Sequence, residues 1–255
     1  MKKSFIFNKH PMLTCMIQED NIDDCVADVK NAIYDGTDAF GFQICQLNPI
    51  YRTQESYEYI FSCMANKPIY ITNYRGGFNC GVSDDDLISE LLKALKYGAD
   101  MADIMGDTYE KSEYELAKSS AAIEKQKKLI DQIHCMGKEV LISSHIHKFL
   151  PAETVLEIAY EHQRRGADVV KIVTGADSEE EEIENLRITS LLKRELDVPF
   201  LFLSNGTHNK IHRIVGPMIG CSMCLCVQSH NKKSTKTQPL LRTMHDILYR
   251  TDYAY

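Results

Sequence analysis

No stretch of this 255-residue sequence stays apolar for the roughly 18 residues that a membrane-crossing helix needs, so no bilayer span is expected. The apolar run within residues 1–8 is too short for a secretory signal. Positive charge is not in excess. A formal net charge of −7 gives no footing to a nucleic acid or an anionic membrane as partner. The nine cysteines are odd in number and scattered, which points to reduced thiols in a cytoplasm rather than a disulfide framework. No linker and no low-complexity segment interrupts the chain, so one domain over residues 1–255 is expected.

What is present is alternation. Strand-like runs fall at residues 12–17, 39–45, 68–74, 101–105, 139–145, 168–174, 200–205 and 223–227. Amphipathic segments lie between and after them, at 21–34, 54–64, 84–97, 113–135, 152–165, 178–195, 208–219 and 239–249. A helix-to-strand signature recurs as Gly36-Thr37-Asp38, Gly98-Ala99-Asp100 and Gly166-Ala167-Asp168, and more loosely at Gly137. Glycine there ends a helix where a positive φ is required, and the next strand follows at once. Eight such units in a chain of this length predict an α/β fold, a (β/α)8 TIM barrel. The four acids at 179–182 open a predicted helix, where they complement its dipole and are expected to face solvent.

Residues 167–174 read as a strand buried on both faces, yet Lys171 stands in its middle. Alternation puts Val169, Lys171 and Val173 on one face. Burial there disfavours the charged ammonium, and a neutral lysine is a nucleophile toward carbonyls. A lysine that snorkels outward, or that pairs with a carboxylate, is the competing reading. In a barrel, chemistry gathers at the C-terminal ends of the strands. Those ends offer a glycine-rich loop after the third strand with Arg75, Asp103 on the fourth, Ser143, Ser144 and His145 on the fifth, and Asn205 on the seventh. A long polar loop, 228–238, follows the eighth and carries Lys232, Lys233 and Lys236. Neighbouring strands lie about 4.8 Å apart, so His145 and Lys171 are expected to meet, one group to hold a carbonyl carbon and one to move protons.

Other patterns carry less. His145 and His147 form an H-x-H pair of the kind that ligates zinc, and Asp103 could join them. No further histidine stands at any predicted strand end, so no metal and no cofactor is expected. Cys221 and Cys224 make a C-x-x-C without a partner pair, and Cys224 and Cys226, in an apolar strand, read as small buried thiols. Gly76-Gly77 reads as a turn rather than an anion cradle.

Taken together these residues resemble the type I 3-dehydroquinate dehydratases of the shikimate pathway, which supply aromatic amino acid biosynthesis. The likeness is good from about Gly137 onward and poor before it. The run 140–145 is similar to the family's strand ending in Ser-x-His, whose histidine is the general acid/base, and 166–172 to the strand with the Schiff-base lysine. Ser204-Asn205-Gly206 resembles a Ser-Met-Gly element with its methionine replaced. Residues 211–217 resemble the stretch whose arginine, here Arg213, grips the substrate carboxylate. Residues 234–238 have the spacing of the family's lid and keep its serine and glutamine as Ser234 and Gln238. The departures are specific too. The family's Glu-x-Arg, which contacts ring hydroxyls, reads Gly41-Phe42-Gln43 here. Thr72 lacks the arginine two residues on, Arg75 stands where a glutamate that orients the histidine is expected, and the Asp-x-Glu of strand four is Asp103-Ile104-Met105.

The resemblance implies a Schiff-base lyase acting on 3-dehydroquinate or a related carboxylated hydroxy-ketone. Lys171 and His145 would be catalytic, Arg213, Ser234, Gln238 and Asn205 substrate-binding, and Asp103 and Arg75 supports for His145. Left open beside it are a class I aldolase-like enzyme on another keto acid, a non-catalytic anion-binding relative and a metal hydrolase. A homodimer is also left open. The lost hydroxyl contacts predict a relaxed dehydratase or a changed substrate.

Overall fold

The computed structural model describes residues 4–6 and 10–250. The reading of residues 1–8 as too short for a leader therefore falls mostly outside the described residues. Among the described residues eight strands alternate with eight α-helices, and hydrogen bonding orders the strands β7-β6-β5-β4-β3-β2-β1-β8. The ladders β1–β2, β2–β3, β5–β6 and β6–β7 are parallel. This is the (β/α)8 arrangement that the alternation predicts. Among the described residues no helix is long and apolar enough to cross a membrane.

The chain divides into two compact units. The first comprises the described residues of 1–4, 12–102 and 224–255. It holds β1 (Met12–Ile17), α1 (Ile22–Tyr34), β2 (Ala39–Gln43), α2 (Gln54–Ser62), β3 (Ile69–Thr72), α3 (Asp84–Lys96) and α8 (Leu241–Arg250). Asn21, Thr53 and Ser83 cap α1, α2 and α3, each side chain accepting from a backbone N–H three residues on. Its core includes Phe42, edge-on to Tyr57 and Phe61 at 6.2 and 5.5 Å between ring centroids.

The second unit comprises the described residues of 5–11 and 103–223. The division falls inside β4 (Met101–Met105) and β8 (Met223–Cys226). Between them run α4 (Ser120–Cys135), β5 (Glu139–His145), α5 (Ala152–Arg165), β6 (Val169–Gly175), α6 (Glu179–Glu195), β7 (Phe200–Asn205) and α7 (Lys210–Ile219).

The recurring Gly-x-Asp signature does more than stop helices. Gly36, Gly98 and Gly166 take φ values of 87°, 129° and 103°, as a left-handed helix end requires. The aspartate that follows then pins the preceding strand. Asp38 accepts the Leu13 N–H at 2.9 Å and gives its own N–H to the Leu13 carbonyl at 2.8 Å. Asp100 does the same to Ile69, and Asp168 to Val140. Three junctions thus fix strand register with one carboxylate each.

Two expectations fail. The helix predicted from residue 113 begins at Ser120, capped by Ser119, and residues 113–119 are irregular. The acids of 179–182 do not all face water. Glu182 is buried, and its carboxylate accepts the Ile211 and His212 N–H groups at 2.9 and 3.2 Å. It thereby caps α7, whose own cap residue Asn209 makes no side-chain bond to the helix N–H groups.

Candidate active site

β6 is buried along its whole length, as a strand of a (β/α)8 barrel is, and Lys171 is buried with it. In the ladders Ser143 pairs with Lys171 and His145 with Val173, while Lys171 pairs with Leu201 and Gly175 with Asn205. Register partners share a face, so Ser143, His145, Lys171 and Asn205 all project to the same side. His145 and Lys171 are one strand and two residues apart, which sets their Cα atoms on the order of 8 Å from each other.

Lys171 has a counter-charge. Its Nζ donates to Asp103 Oδ2 at 3.1 Å, with the two side chains 5% and 0% exposed. The other carboxylate oxygen, Oδ1, accepts from Ser143 Oγ at 2.5 Å. The carboxylate-paired alternative for this lysine is therefore the geometry observed, and the nitrogen faces protein rather than bulk water. A buried pair of this kind holds only while both partners are present.

His145 is held by a residue that sequence reasoning missed. Glu115 Oε2 lies 2.9 Å from Nδ1 and also accepts the His145 backbone N–H at 2.8 Å. An ionised carboxylate can only accept, so Nδ1 carries the proton and Nε2 is the imidazole's basic atom. Burial alone would raise the Glu115 carboxyl, but its bonds and charge interaction with His145 outweigh that and hold it below the usual range. The backbone at Glu115 is strained, with φ of +43°. The strain is held from both sides. Ser144 Oγ donates to the Glu115 carbonyl at 2.8 Å. Buried Arg165 clamps the segment, donating to the carbonyls of Gly106 at 2.9 Å and Ala117 at 2.6 Å. Behind Ser144 sits His162, 3.1 Å from its Oγ and fully buried; burial, then the charge of Arg165, push it down to about 3.

Asp103 was expected to support His145, and the bonds resolved for it run to Lys171 and Ser143. Arg75, the other expected support, clasps Asp84 with two parallel bonds of 2.8 Å. Arg213 is buried on α7, donating through Nε to the Ser204 carbonyl at 2.7 Å and through Nη2 to Asn205 Oδ1 at 2.5 Å. The structure thus joins Arg213 to Asn205. In the first unit, Ser234 closes a tight turn, its Oγ accepting the Asn231 N–H at 2.9 Å. Gln238 is buried, and its Oε1 meets no partner among the described residues. Lys233 anchors the same loop to Glu19 and Asp20 at 2.9 and 2.7 Å. His147 is exposed. Cys221, Cys224 and Cys226 are buried, as small core thiols are. Gly77 turns with φ of +61°, in a place where a Cβ would stand 2.4 Å from the Cys45 carbonyl.

The family model for type I 3-dehydroquinase matches residues 16–253. A 3-dehydroquinate dehydratase of Alkaliphilus oremlandii (strain OhILAs) is 32% identical over 94 residues, 36% of this chain and 37% of that protein. One of Clostridium kluyveri is 28% identical over 106 residues, 41% of this chain and 42% of that protein. These matches span about two-fifths of the curated relatives' length. Among solved structures, the 3-dehydroquinate dehydratase of Geobacillus kaustophilus HTA426 superposes with a TM-score of 0.80 at 17% identity, covering 99% of this chain and 97% of that one. The type I enzyme of Clostridium difficile, solved with covalently modified comenic acid, gives 0.79 at 18%, covering 95% and 93%. At such identities the superpositions speak for the fold.

Proposed function

Since the chain belongs to the type I 3-dehydroquinase family, we propose that it is a hydro-lyase that removes water from 3-dehydroquinate, or from a close carboxylated hydroxy-ketone, through an imine on Lys171. The observation that carries this reading is a buried lysine, held by Asp103 at 3.1 Å, with His145 two register positions further along the neighbouring strand on the same face. In the proposed sequence Lys171 passes a proton to its partner Asp103, the freed amine adds to the ketone carbon, and the resulting hydroxyl takes that proton back and leaves as water to give an iminium. The iminium withdraws electrons from the adjacent C–H bond, and His145 Nε2 takes that proton. The electron pair then expels the hydroxyl on the next carbon, with the same proton returned to it from His145 so that it departs as water. Addition of water to the iminium frees Lys171 and releases an enone acid.

Asp103 keeps Lys171 aimed across the strands, and Arg213, fixed by Asn205 and the Ser204 carbonyl, is suited to a carboxylate grip. The resemblance also gives Ser234 and Gln238 a substrate-binding role, and their alanine variants are expected to raise KM more than they lower kcat.

Borohydride reduction in the presence of 3-dehydroquinate tests the imine. The expected result is a mass addition at Lys171 in the intact chain and none in Lys171→Ala. An unmodified Lys171 under conditions where the same treatment labels a known imine-forming enzyme would sink the proposal.

A further inference from the structure

We propose that Glu115, on the irregular segment between β4 and α4, is the positioning residue that sets the tautomer and aim of His145, a task for which this sequence has no glutamate in the loop after β3. The inference rests on the acid/base role proposed for His145. A single carboxylate oxygen accepts both the backbone N–H and the ring Nδ1–H of that residue, at 2.8 and 2.9 Å. Two bonds from one atom fix the ring relative to its own backbone, and the protonated Nδ1 leaves Nε2 to carry the proton traffic. Negative charge at Nδ1 also stabilises the imidazolium that forms when Nε2 takes a proton.

The segment is built to hold this residue. Its non-glycine φ of +43° is an uncommon conformation that needs support. Ser144 Oγ and the Arg165 clamp on Gly106 and Ala117 supply it, and Ala117 further donates its N–H to the Gly106 carbonyl at 2.9 Å. Arg165 itself is locked by Gln126 at 2.7 Å and Glu161 at 2.9 Å. In the loop after β3, Arg75, where the resemblance places a glutamate, is bound to Asp84.

The test uses the full chain with Glu115→Gln and Glu115→Ala. The glutamine oxygen can still accept both bonds but carries no charge, so Glu115→Gln is expected to fold and melt as the parent does. Its kcat for enone formation should fall roughly tenfold with KM little changed. Glu115→Ala should lose roughly 10²- to 10³-fold in kcat, the scale of a misdirected general acid/base. Added formate should recover part of that loss. In the parent, the Nδ1 proton should resonate far downfield in the proton NMR spectrum, and the signal should vanish in Glu115→Ala. Lowered melting with kcat kept within about twofold, or a change in KM alone, would reduce Glu115 to a structural anchor and overturn the proposal. Borohydride trapping in the parent separates the two levels. Failure there rejects the imine, while the downfield proton and its loss still report on the Glu115–His145 pair.

Discussion

At the C-terminal ends of β4, β5 and β6 charged groups answer one another, whereas Gln18, Gln43 and Thr72, at those of β1, β2 and β3, are neutral. In the first set Asp103 lies between Lys171 and Ser143, and Glu115 holds His145. In the second, Gln18 Nε2 donates to Gln43 Oε1 at 2.7 Å and to Thr235 Oγ1 at 2.9 Å. Gln43 in turn donates to the Cys45 sulfur at 3.4 Å. Thr72 Oγ1 is buried with no partner among the described residues. The sequence reading placed the family's hydroxyl contacts at Gly41 and Gln43, and the structure says what stands there instead. A Cβ on Gly41 would lie 2.1 Å from Met16 Sδ, so a thioether fills the volume that a side chain at 41 would need. The contrast is physical. A reaction that moves protons at a buried amine requires counter-charges close by, and few residue types supply them. Recognition of neutral hydroxyls, the task that the resemblance gives positions 41 and 43, can be met by amides, alcohols or shape.

The comparison can be broken most severely at Lys171. Lys171→Met removes the cation and leaves Asp103 buried against an apolar chain, with an expected loss of about 3–5 kcal/mol in unfolding free energy by urea titration. In a Lys171→Met, Asp103→Asn pair much of that loss should return. Independent, additive costs would show that the two charges do not depend on each other.

Acid should separate the two units with opposite signs. His162 and His212 in the second unit are both pushed down to about 3, first by burial and then by a neighbouring arginine, Arg165 for the former and Arg213 for the latter. Below the usual 6.5 an unfolded chain takes up protons that the folded imidazoles refuse. Stability is therefore lost as pH falls from about 6.5 towards 3, by up to about 1.4 kcal/mol per pH unit for each histidine. In the first unit Asp28 is raised to about 6, mainly by burial and then by the charges of Glu19 and Asp24. Its folded form binds a proton more readily than its unfolded form, so stability is gained as pH falls through about 6. Hydrogen exchange at pH 7 and 5 checks this. Protection should drop first in β5 to β7, and an earlier loss in β1 to β3 would contradict the assignment.

The smallest effect sharpens the neutral side. Gly41→Ala should cost about 1–2 kcal/mol by crowding Met16 Sδ and, at 3.0 Å, the Tyr70 ring. Met16→Ala in the same chain should relieve the crowding. Thermal melts of the two single variants and the double variant measure the coupling, and strict additivity would mean that Met16 does not occupy that volume.

Much of the framework is legible in the residues. Alternating strand and helix runs gave all eight units, with β1, β4, β5, α5 and β7 at the boundaries read from the sequence. The Gly-x-Asp junctions marked where helices stop. What they did not reveal is that each aspartate ties back to the preceding strand, because that bond joins residues about 25–31 apart. Glu115 was hidden for a related reason. Residues 113–119 have helix-forming composition, and bonds with residues outside the segment, among them Arg165, Ser144 and Glu110, hold them irregular.

The sequence by itself determined the order of the elements and the presence of an amine in the middle of a buried strand, since both follow from local periodicity and burial preference. Which carboxylate faces which base was decided only by tertiary structure. Asp103 reaches Lys171 across 68 residues of chain and Glu115 reaches His145 across 30. Charge pairing acts through space over a few ångströms, and no local pattern along the chain records which distant residues that space will contain.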